Sequence, residues 1–390
     1  MLEFLKKLID RLKGVGYERL SHRIKEQTNE IFELYLHLNA KNNYPYKKLS
    51  SLTGTALLDR SAPDNYLEML LPNVNFLDYT EENMVNLDNY LIWGSHSYSK
   101  KVQFLKKAVF YNKPVSFLEF GFITSADTFA NKKCDPKYRK ATSFVYDTVV
   151  PYYDARYQSN LEKMLNDEKL IITNEQKQRA RRCINKIVET HLTKYNHQPI
   201  FEPKIGREGV KKVLVVDQSY GDMSISKGWA TNDTFKTMLE CAIKENPEAD
   251  IIVKTHPDTM TGRRSGYYTK LKPHDNIYTF TEPINPISLI KTVDKVYVCT
   301  TQLGLEALMC GKEVHTYGMP FYANWGLTID RLKCNRRTKK RTLEELFYIT
   351  YILYTYYVNP DKGKPCEIEE NMEYLLNLRE EYAQVNQQKK

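Results

Sequence analysis

One stretch decides the fold class: residues 294–331 read DKVYVCTTQLGLEALMCGKEVHTYGMPFYANWGLTIDR. Residues 296–299 are apolar and predict a buried strand, and residues 314–317 predict the next one. Residues 305–310 between them predict a helix, which the following glycine ends. The polar residues 300–302 lie between the first strand and this helix. Because ligands of open parallel sheets bind outside the carboxyl ends of the strands, we expect a ligand near this loop.

The same pattern of a short strand and then a polar loop recurs in this half of the chain. Three apolar runs are each followed by loop residues: 213–216 by 217–222, 251–253 by 254–258, and 314–317 by 318–322. The spacing between the runs is long enough for helices, which predicts βαβ units and a parallel sheet. Carboxylate, imidazole, amide and hydroxyl groups therefore converge on one edge of this sheet. This convergence favours a ligand site over unrelated polar loops.

The length of 390 residues predicts more than one domain. A linker-like segment at 195–210 divides the chain, and we predict three parts. They are an N-terminal α/β domain with leading helices (1–205), a second α/β domain (206–335) and C-terminal helices packing back across both (336–390). Two facing α/β domains closed by C-terminal helices have the glycosyltransferase-B type of architecture, which does not by itself give a function.

The N-terminal half also places polar residues after predicted strands. Residues 90–93 lead to a Gly-Ser-His-Ser loop, and residues 115–118 lead to Glu119. Residues 143–146 and 149–153 are interpreted as a hairpin or an edge pair. A second sheet facing the first is therefore expected.

Three helices are predicted downstream of the first sheet. A charged helix covers about 174–194. The sequence Thr-Leu-Glu-Glu at 342–345 is a capping box that opens a long apolar helix ending near Asn359 and Pro360. A last helix covers about 367–384.

Composition limits the class of protein and its compartment. Seven cysteines without a paired spacing indicate reduced thiols in a cytosolic protein. No histidine or cysteine spacing is typical of a metal site, so neither a metal nor another cofactor is predicted. No signal peptide is recognisable, and the longest near-apolar run, 346–358, is too short to span a bilayer. The amphipathic residues 2–13 fit either contact with an anionic membrane surface or a first helix packed on its own domain.

The net charge of +9 favours anionic partners without identifying them. The densest basic cluster, RRTKKR at 336–341, is compatible with nucleic acid, acidic phospholipid, a phosphorylated substrate or a solvated loop. No nucleic-acid-binding module is recognisable, so nucleic acid is not predicted as a partner.

Several ordered motifs resemble those of the capsule polysaccharide biosynthesis family. They are FLEFGFI (117–123), YYDA (152–155), VLVVDQSYGDMSI (213–225), IVKTHPD (252–258), TTQLGLEAL (300–308) and GMPFYANWGLTIDR (318–331). The similarity is close over about 210–365 and looser upstream. These motifs are like one module of the retaining β-Kdo transferases that build the lipid-linked primer of bacterial capsules.

The resemblance implies two Rossmann-like domains facing each other and a glycosyltransferase that works without a metal ion. It makes 1–205 the acceptor-side domain and 206–335 the nucleotide-sugar-binding domain. The implied donor is CMP-Kdo, transferred with retention to a lipid-linked or glycan acceptor. The implied location is the cytoplasm, with the inner face of the membrane and capsule assembly proteins as further contacts.

The resemblance also implies roles for individual residues. Asp222 would be the nucleophile of a double displacement, with Asp217 as the alternative. Glu119 would be the general acid/base on the acceptor side. His256 would face the donor phosphate. The other predicted donor-nucleotide residues are Lys254, Pro257, Thr300, Thr301, Gln302 and Glu306. Glu306 would bind the ribose, although a carboxylate at this position also complements a helix dipole. Gln218, Tyr322 and Trp325 would line the pocket, and core packing fits the last two equally well.

Two departures from the family pattern leave alternatives open. Phe120 and Thr124 stand where the family often has an acidic residue and an arginine, which puts the acceptor in question. The capsule primer transferases commonly carry two modules in tandem, whereas this chain holds one, so a single linkage or another sugar is open. The competing interpretation is a non-catalytic capsule assembly or export component that binds glycan or a partner protein.

Overall fold

The computed structural model describes residues 16–42, 46, 48–58, 65–80, 82–94, 99–255, 265–268 and 275–387. Two predicted features lie outside this part of the chain: the amphipathic segment 2–13, and the donor-side residues His256 and Pro257.

The described residues form an α/β fold with two sheets. Its strands are β1 (Gly54–Leu58), β2 (Val74–Phe76), β3 (Asn89–Trp93), β4 (Val115–Phe120), β5 (Ser143–Asp147), β6 (Lys212–Val216), β7 (Asp250–Lys254), β8 (Ile277–Phe280), β9 (Lys295–Val298), β10 (Glu313–Thr316), β11 (Ile329–Asp330), β12 (Thr355–Asn359) and β13 (Lys364–Cys366). The first sheet has the order β13-β12-β5-β4-β3-β1-β2, and the second has the order β11-β10-β9-β6-β7-β8.

The second sheet is parallel throughout, as its sequence predicts. Its central strands β6, β7 and β9 are short runs of β-branched and apolar residues, buried on both faces. Such runs are typical of strands covered by helices on each side. The first sheet is mixed: β1 to β4 are parallel, whereas β5, β12 and β13 are antiparallel to their neighbours.

The helices connect the strands and cover the sheets. They are α1 (Gly16–Asn42), α2 (Ser99–Phe110), α3 (Pro136–Arg139), α4 (Asn160–Asn166), α5 (Asn174–Thr190), α6 (Met223–Lys227), α7 (Asn232–Glu245), α8 (Pro286–Lys291), α9 (Leu303–Met309), α10 (Leu343–Phe347) and α11 (Ile368–Gln387). Short 3₁₀ turns lie at Leu49–Ser51 and Leu67–Leu70. Gly311 follows α9 with φ +72°, a left-handed conformation that glycine adopts without steric cost.

The predicted pairing of 143–146 with 149–153 is wrong. Residues 143–147 do form β5, but β5 pairs with β4 and β12. Residues 149–153 form no strand, because the Asp147 carboxylate ends the sheet at this point. Its oxygens accept hydrogen bonds from the backbone N–H groups of Val149 and Asn160, at 2.9 and 2.8 Å. The chain therefore turns away from the sheet after β5.

The predicted long helix after the capping box is also wrong in its second half. Thr342 and Glu345 do form the capping box of α10. The chain then continues as a π-helix, Tyr348–Leu353, and becomes strand β12. This strand joins β5 of the first sheet, so the C-terminal segment completes a sheet that begins about 300 residues earlier. The last predicted helix is confirmed as α11.

The largest buried cluster takes residues from both sheets and from the C-terminal helices. It includes Val145 of β5, Leu214 of β6, Trp325, and Leu375 of α11. One continuous core therefore joins the elements that carry the two sets of polar loops. The predicted boundaries at 205/206 and 335/336 stay predictions.

Candidate functional site

The polar loops that follow β6 and β9 lie at the switch point of the second sheet. Strand β6 lies between β9 and β7, so the chain leaves β6 in one direction and returns beside it as β9. In open α/β sheets, ligands bind in the crevice at this point. Gln218 and Thr300 join the two loops across it. The Gln218 Oε1 accepts a hydrogen bond from the Thr300 backbone N–H at 2.9 Å.

Thr300 lies at the centre of these contacts. Its hydroxyl is 3.1 Å from both the Gln218 Nε2 and the Ser224 hydroxyl. Its methyl group leaves no room for side chains at two neighbouring glycines. A Cβ added at Gly228 or at Gly318 would lie 2.5 or 2.6 Å from this methyl carbon. The switch-point loops are therefore closely packed and hydrogen-bonded to one another before any ligand arrives.

Asp222 and Glu119 come from different sheets and lie near each other. Asp222 precedes α6 as its N-cap, and its Oδ1 accepts a hydrogen bond from the Ser224 backbone N–H at 2.8 Å. Glu119 is near the carboxyl end of β4 in the first sheet. Burial raises the pKa of the Glu119 carboxyl to about 7, with a smaller contribution from the Asp222 carboxylate. The two carboxyl groups are therefore close enough to interact electrostatically, one at the start of a helix that follows the second sheet and the other near the end of a strand of the first.

Glu119 is the less constrained of the two. Its carboxyl makes no hydrogen bond with the residues that the structure describes, and part of its side chain remains accessible. The ammonium groups of Lys194 and Lys101 oppose the rise in its pKa. A carboxyl group that titrates near neutral pH can both hold and release a proton under working conditions.

Asp217, the alternative nucleophile, is engaged in holding a neighbouring loop. It is 2% exposed, and its Oδ1 accepts hydrogen bonds from the backbone N–H groups of Gln218 and Tyr267, at 2.8 and 2.9 Å. Its other oxygen is buried and has no partner among the described residues. Burial raises its pKa, whereas these N–H donors oppose the rise. Asp217 therefore fixes loop 265–268 through its hydrogen bond to the Tyr267 backbone.

Glu306 lies in α9, is 3% exposed and has partners of its own. Its Oε1 accepts hydrogen bonds from the Thr193 hydroxyl and, at 3.5 Å, from the Gln302 side-chain amide. Burial raises its pKa to about 7. The same Gln302 amide donates to the backbone carbonyl of Phe122 at 2.8 Å. These contacts join α9 to the loop that follows β4; the ribose role of Glu306 stays a prediction.

Tyr322 and Trp325 are fully buried core residues. The Tyr322 hydroxyl donates to the Thr301 carbonyl at 2.6 Å, and the Trp325 indole N–H donates to the Phe321 carbonyl at 2.8 Å. Of the two interpretations open from the sequence, these contacts fit core packing beneath the 300–302 loop.

Lys254 ends β7 on the donor side. Its ammonium is almost completely buried and donates to the backbone carbonyls of Thr255 and Glu282, at 3.1 and 3.2 Å. Burial lowers its pKa to about 8. His256 and Pro257, which follow Thr255, lie outside the described residues.

A buried charge network, which the sequence did not reveal, supports the Asp222 helix. Lys227, the last residue of α6, is 1% exposed, and its ammonium lies 3.3 Å from Asp154 and 3.4 Å from Glu33. Arg156 completes the network with contacts of 2.7 and 2.8 Å to the same two carboxylates. Helix α1 and the 151–157 loop therefore fix α6 and the Asp222 at its start. In the sequence, the only sign of this network is the YYDA motif (152–155), which contains Asp154.

Tyr152 is a second residue that the sequence did not assign to the site. Burial raises the pKa of its hydroxyl, and the carboxylates of Glu119 and Asp222 act in the same direction. Its ring packs on Phe122 and Phe321, with centroids 5.2 and 5.3 Å apart. Tyr152 thus lies close to both carboxyl groups on an aromatic support.

The basic cluster at 336–341 contacts its own chain. The Arg336 and Arg337 guanidinium groups lie 2.8 and 3.0 Å from the Glu162 carboxylate of α4. Arg341 donates to backbone carbonyls at the end of α4, including Leu165 at 2.9 Å. These three arginines therefore hold α4 against the C-terminal part of the chain.

The described part of the chain contains neither a cluster of metal ligands nor a helix that could span a membrane. No group of three or more His, Cys, Asp or Glu side chains there is arranged to hold a metal ion. None of the helices described is long and apolar enough to cross a membrane. Independence of a metal and contact with a membrane surface stay predictions.

Comparison with known sequences connects this geometry to a family. The profile of the family described as "Capsule polysaccharide biosynthesis protein" matches residues 127–361. The capsule polysaccharide modification protein LipA of Neisseria meningitidis serogroup A is 37% identical over 296 residues, 74% of this chain and 41% of that protein. The lipopolysaccharide-processing protein LpsZ of Rhizobium meliloti is 38% identical over 58% of this chain and 52% of that protein. The chain thus spans about half the length of these curated relatives.

Two solved structures share the fold. One is described as the β-Kdo 2,4 transferase of Thermosulfurimonas dismutans KpsC. It has a TM-score of 0.74 and 35% identity, covering 83% of this chain and 98% of that one. The other, described as the β-Kdo 2,7 transferase of the same KpsC, has a TM-score of 0.61 and 28% identity, covering 84% and 99%. The family match and these two similarities agree, and the chain belongs to the capsule polysaccharide biosynthesis protein family.

Proposed function

We propose that the chain is a glycosyltransferase that transfers Kdo from CMP-Kdo, with retention, to a glycan or lipid-linked acceptor. The observation that carries this proposal is the meeting of Asp222 and Glu119 from opposite sheets. Their carboxyl groups interact electrostatically, and one of them titrates near pH 7. Similarity to two β-Kdo transferase structures supports the choice of donor. The two sheets then belong to the two facing domains of a glycosyltransferase-B arrangement.

Asp222 is the nucleophile of the first step. One of its carboxylate oxygens bonds to the anomeric carbon of Kdo, and the bond from that carbon to the CMP phosphate oxygen breaks. CMP leaves with the electron pair, and a glycosyl ester remains on Asp222. The N-cap hydrogen bond from Ser224 occupies one oxygen and leaves the other for the attack.

Glu119 is the base of the second step. The acceptor hydroxyl loses its proton to Glu119 as its oxygen bonds to the anomeric carbon, and the ester bond to Asp222 breaks. Two inversions at one carbon give net retention. A pKa raised to about 7 suits this role, because such a carboxyl can accept and release a proton near neutral pH.

The nucleotide is placed at the switch point between β6 and β9. Gln218 and the 300–302 loop form one side of this crevice, and the segment that begins at Lys254 continues to His256. The greater similarity to the 2,4 transferase favours a 2,4 linkage in the product.

The test is transfer from CMP-Kdo, generated in situ, to a panel of glycolipid acceptors. Wild type should form product, and Asp222→Ala should form none while keeping its CMP affinity. Asp217→Asn is the matched control, because this carboxyl holds loop 265–268 through backbone contacts that an amide oxygen also accepts. Linkage analysis of the product then separates 2,4 from 2,7.

Two negative results have different meanings. CMP binding without product would contradict the assigned sugar or the acceptors tried. The absence of both CMP binding and transfer would favour the non-catalytic assembly component.

A further inference from the structure

A short turn at residues 192–196 is attached to polar elements from both sheets. The Lys194 backbone carbonyl accepts hydrogen bonds from the N–H groups of Thr124 and Ser125, at 3.1 and 3.4 Å, in the loop that follows β4. Asn196 secures the same side by donating to the Ser125 carbonyl at 2.9 Å. On the other side, the Thr193 hydroxyl donates to Glu306 of α9. The backbone of Lys194 is thus fixed between the two halves of the candidate site.

The side chain of Lys194 carries a half-buried ammonium group with aromatic neighbours. Its Nζ lies 5.8 Å from the centroid of the Phe120 ring and 6.0 Å from that of Tyr195. Within the described ranges it forms no ion pair. Its charge nevertheless acts on the carboxyls of Glu119 and Glu306, lowering the pKa of each.

Neither carboxyl satisfies the ammonium group by direct contact. Among the described residues, neither Glu119 nor Glu306 lies within the 4.0 Å of an ion pair from the Lys194 Nζ, and the Glu306 Oε1 instead accepts from Thr193 and Gln302. Cation–π contacts of about 6 Å replace only part of the hydration that a half-buried ammonium loses. A cation in such surroundings gains most from an anionic partner that completes its hydrogen bonds.

We propose that Lys194 binds an anionic group of the substrate, a carboxylate or a phosphate, and holds it between Glu119 and the loop before α9. This assignment rests on the proposed function, because it requires an acidic sugar or its nucleotide in the crevice. The aromatic rings of Phe120 and Tyr195 flank the position and exclude water from the ion pair. Lys194 is therefore a binding residue for substrate rather than a proton donor.

The test measures binding, without turnover, by titration calorimetry. The probes are CMP, the methyl glycoside of Kdo, and the same glycoside with its carboxyl group reduced to an alcohol. The variants are Lys194→Met and Lys194→Arg. Lys140→Met is the matched control, because the Lys140 ammonium also lies over an aromatic ring, 5.0 Å from the Tyr66 centroid, but outside the candidate site.

Wild type should bind the carboxylate glycoside about tenfold more tightly than the reduced one, the size expected of a charge-assisted hydrogen bond. Lys194→Met should abolish this preference, Lys194→Arg should retain most of it, and Lys140→Met should leave it unchanged. A tenfold loss of CMP affinity in Lys194→Met, with the glycoside preference intact, would instead identify phosphate as the anion.

The outcomes separate this proposal from the proposed function. If wild type binds the probes and Lys194→Met binds them equally well, the Lys194 assignment is overturned and the transferase proposal stands. If wild type binds neither CMP nor either glycoside, both proposals fail.

Discussion

Glu119 and Glu306 are two glutamates whose pKa burial raises to about 7, and they lie in very different surroundings. Glu306 is 3% exposed and is hydrogen-bonded to Thr193 and Gln302. Glu119 is partly accessible, makes no hydrogen bond with the described residues, and interacts electrostatically with Asp222. A raised pKa therefore does not identify a catalytic group by itself. The availability of the carboxyl for a new bond separates the two: the Glu119 carboxyl is open to the proposed acid/base role, whereas the Glu306 carboxyl is already hydrogen-bonded within the fold.

The largest expected effect is on transfer. Glu119→Gln removes the proposed base and should lower kcat about 10²–10⁴-fold without changing the melting temperature. Glu306→Gln should keep most of the activity, because an amide oxygen can still accept the Thr193 hydrogen bond. Steady-state kinetics with both variants checks this. Equal losses of activity in the two variants would contradict the distinction between Glu119 and Glu306.

The stability of the helix that carries Asp222, and with it the rate of transfer, should depend on the buried charge network. Lys227→Met removes one of the two cations that contact Asp154 and Glu33 and leaves Arg156 as the other. The variant should lower the free energy of unfolding by about 1.5–3 kcal/mol, the size of a lost hydrogen bond to a charged group. Transfer should fall as well, because α6 carries Asp222. Urea denaturation measures the first effect. The exposed Lys236, 3.9 Å from Glu240, is the control, and Lys236→Met should cost less than about 1 kcal/mol.

The pH dependence of stability should report the buried carboxyl of Glu306. The pKa of Glu306 rises from 4.5 in the unfolded chain to about 7 in the fold, so the folded state binds more protons between these values. Stability from this group is thus complete below pH 4.5 and lost as pH rises to 7, by about 3 kcal/mol. Glu306→Gln should reduce the difference in stability between pH 5 and pH 8 by about 3 kcal/mol relative to wild type, measured by urea denaturation, and the raised pKa of Glu119 accounts for a part that remains. A difference as large in the variant as in wild type would refute the assignment.

The smallest effect concerns the Thr193 hydroxyl. Thr193→Val removes a donor to Glu306, which should cost about 1 kcal/mol at pH 8 and raise the pKa of Glu306 further. Its pH-stability curve should therefore shift toward higher pH. Thr190→Val, which removes a hydroxyl bonded to the Lys186 carbonyl within α5, should lower stability without shifting the curve.

Local patterns in the sequence predicted the second sheet well. Strands β6, β7, β9 and β10 are short apolar runs followed by polar loops, and both features depend only on neighbouring residues. The prediction failed where a distant partner decides the structure. The run at 348–359 reads as a helix, but its second half pairs with β5, more than 200 residues earlier.

The same limit applies to the site. The motifs identified Asp222, Gln218 and Thr300, because each follows a strand that the sequence reveals. The partners of Arg337 and Lys227 could not be predicted, since Glu162 and Asp154 are 175 and 73 residues away. Lys194 has no motif, and only the meeting of the two sheets brings it beside Glu119.

The most direct test of the account is to trap the glycosyl-enzyme. Glu119→Gln should form the ester with CMP-Kdo and transfer it slowly, so the intermediate accumulates. Intact mass and peptide mapping should then find one Kdo residue attached to Asp222, and none in the Asp222→Ala variant. A Kdo residue attached to Asp217, or product formation with no adduct on any carboxylate, would contradict the proposed double displacement.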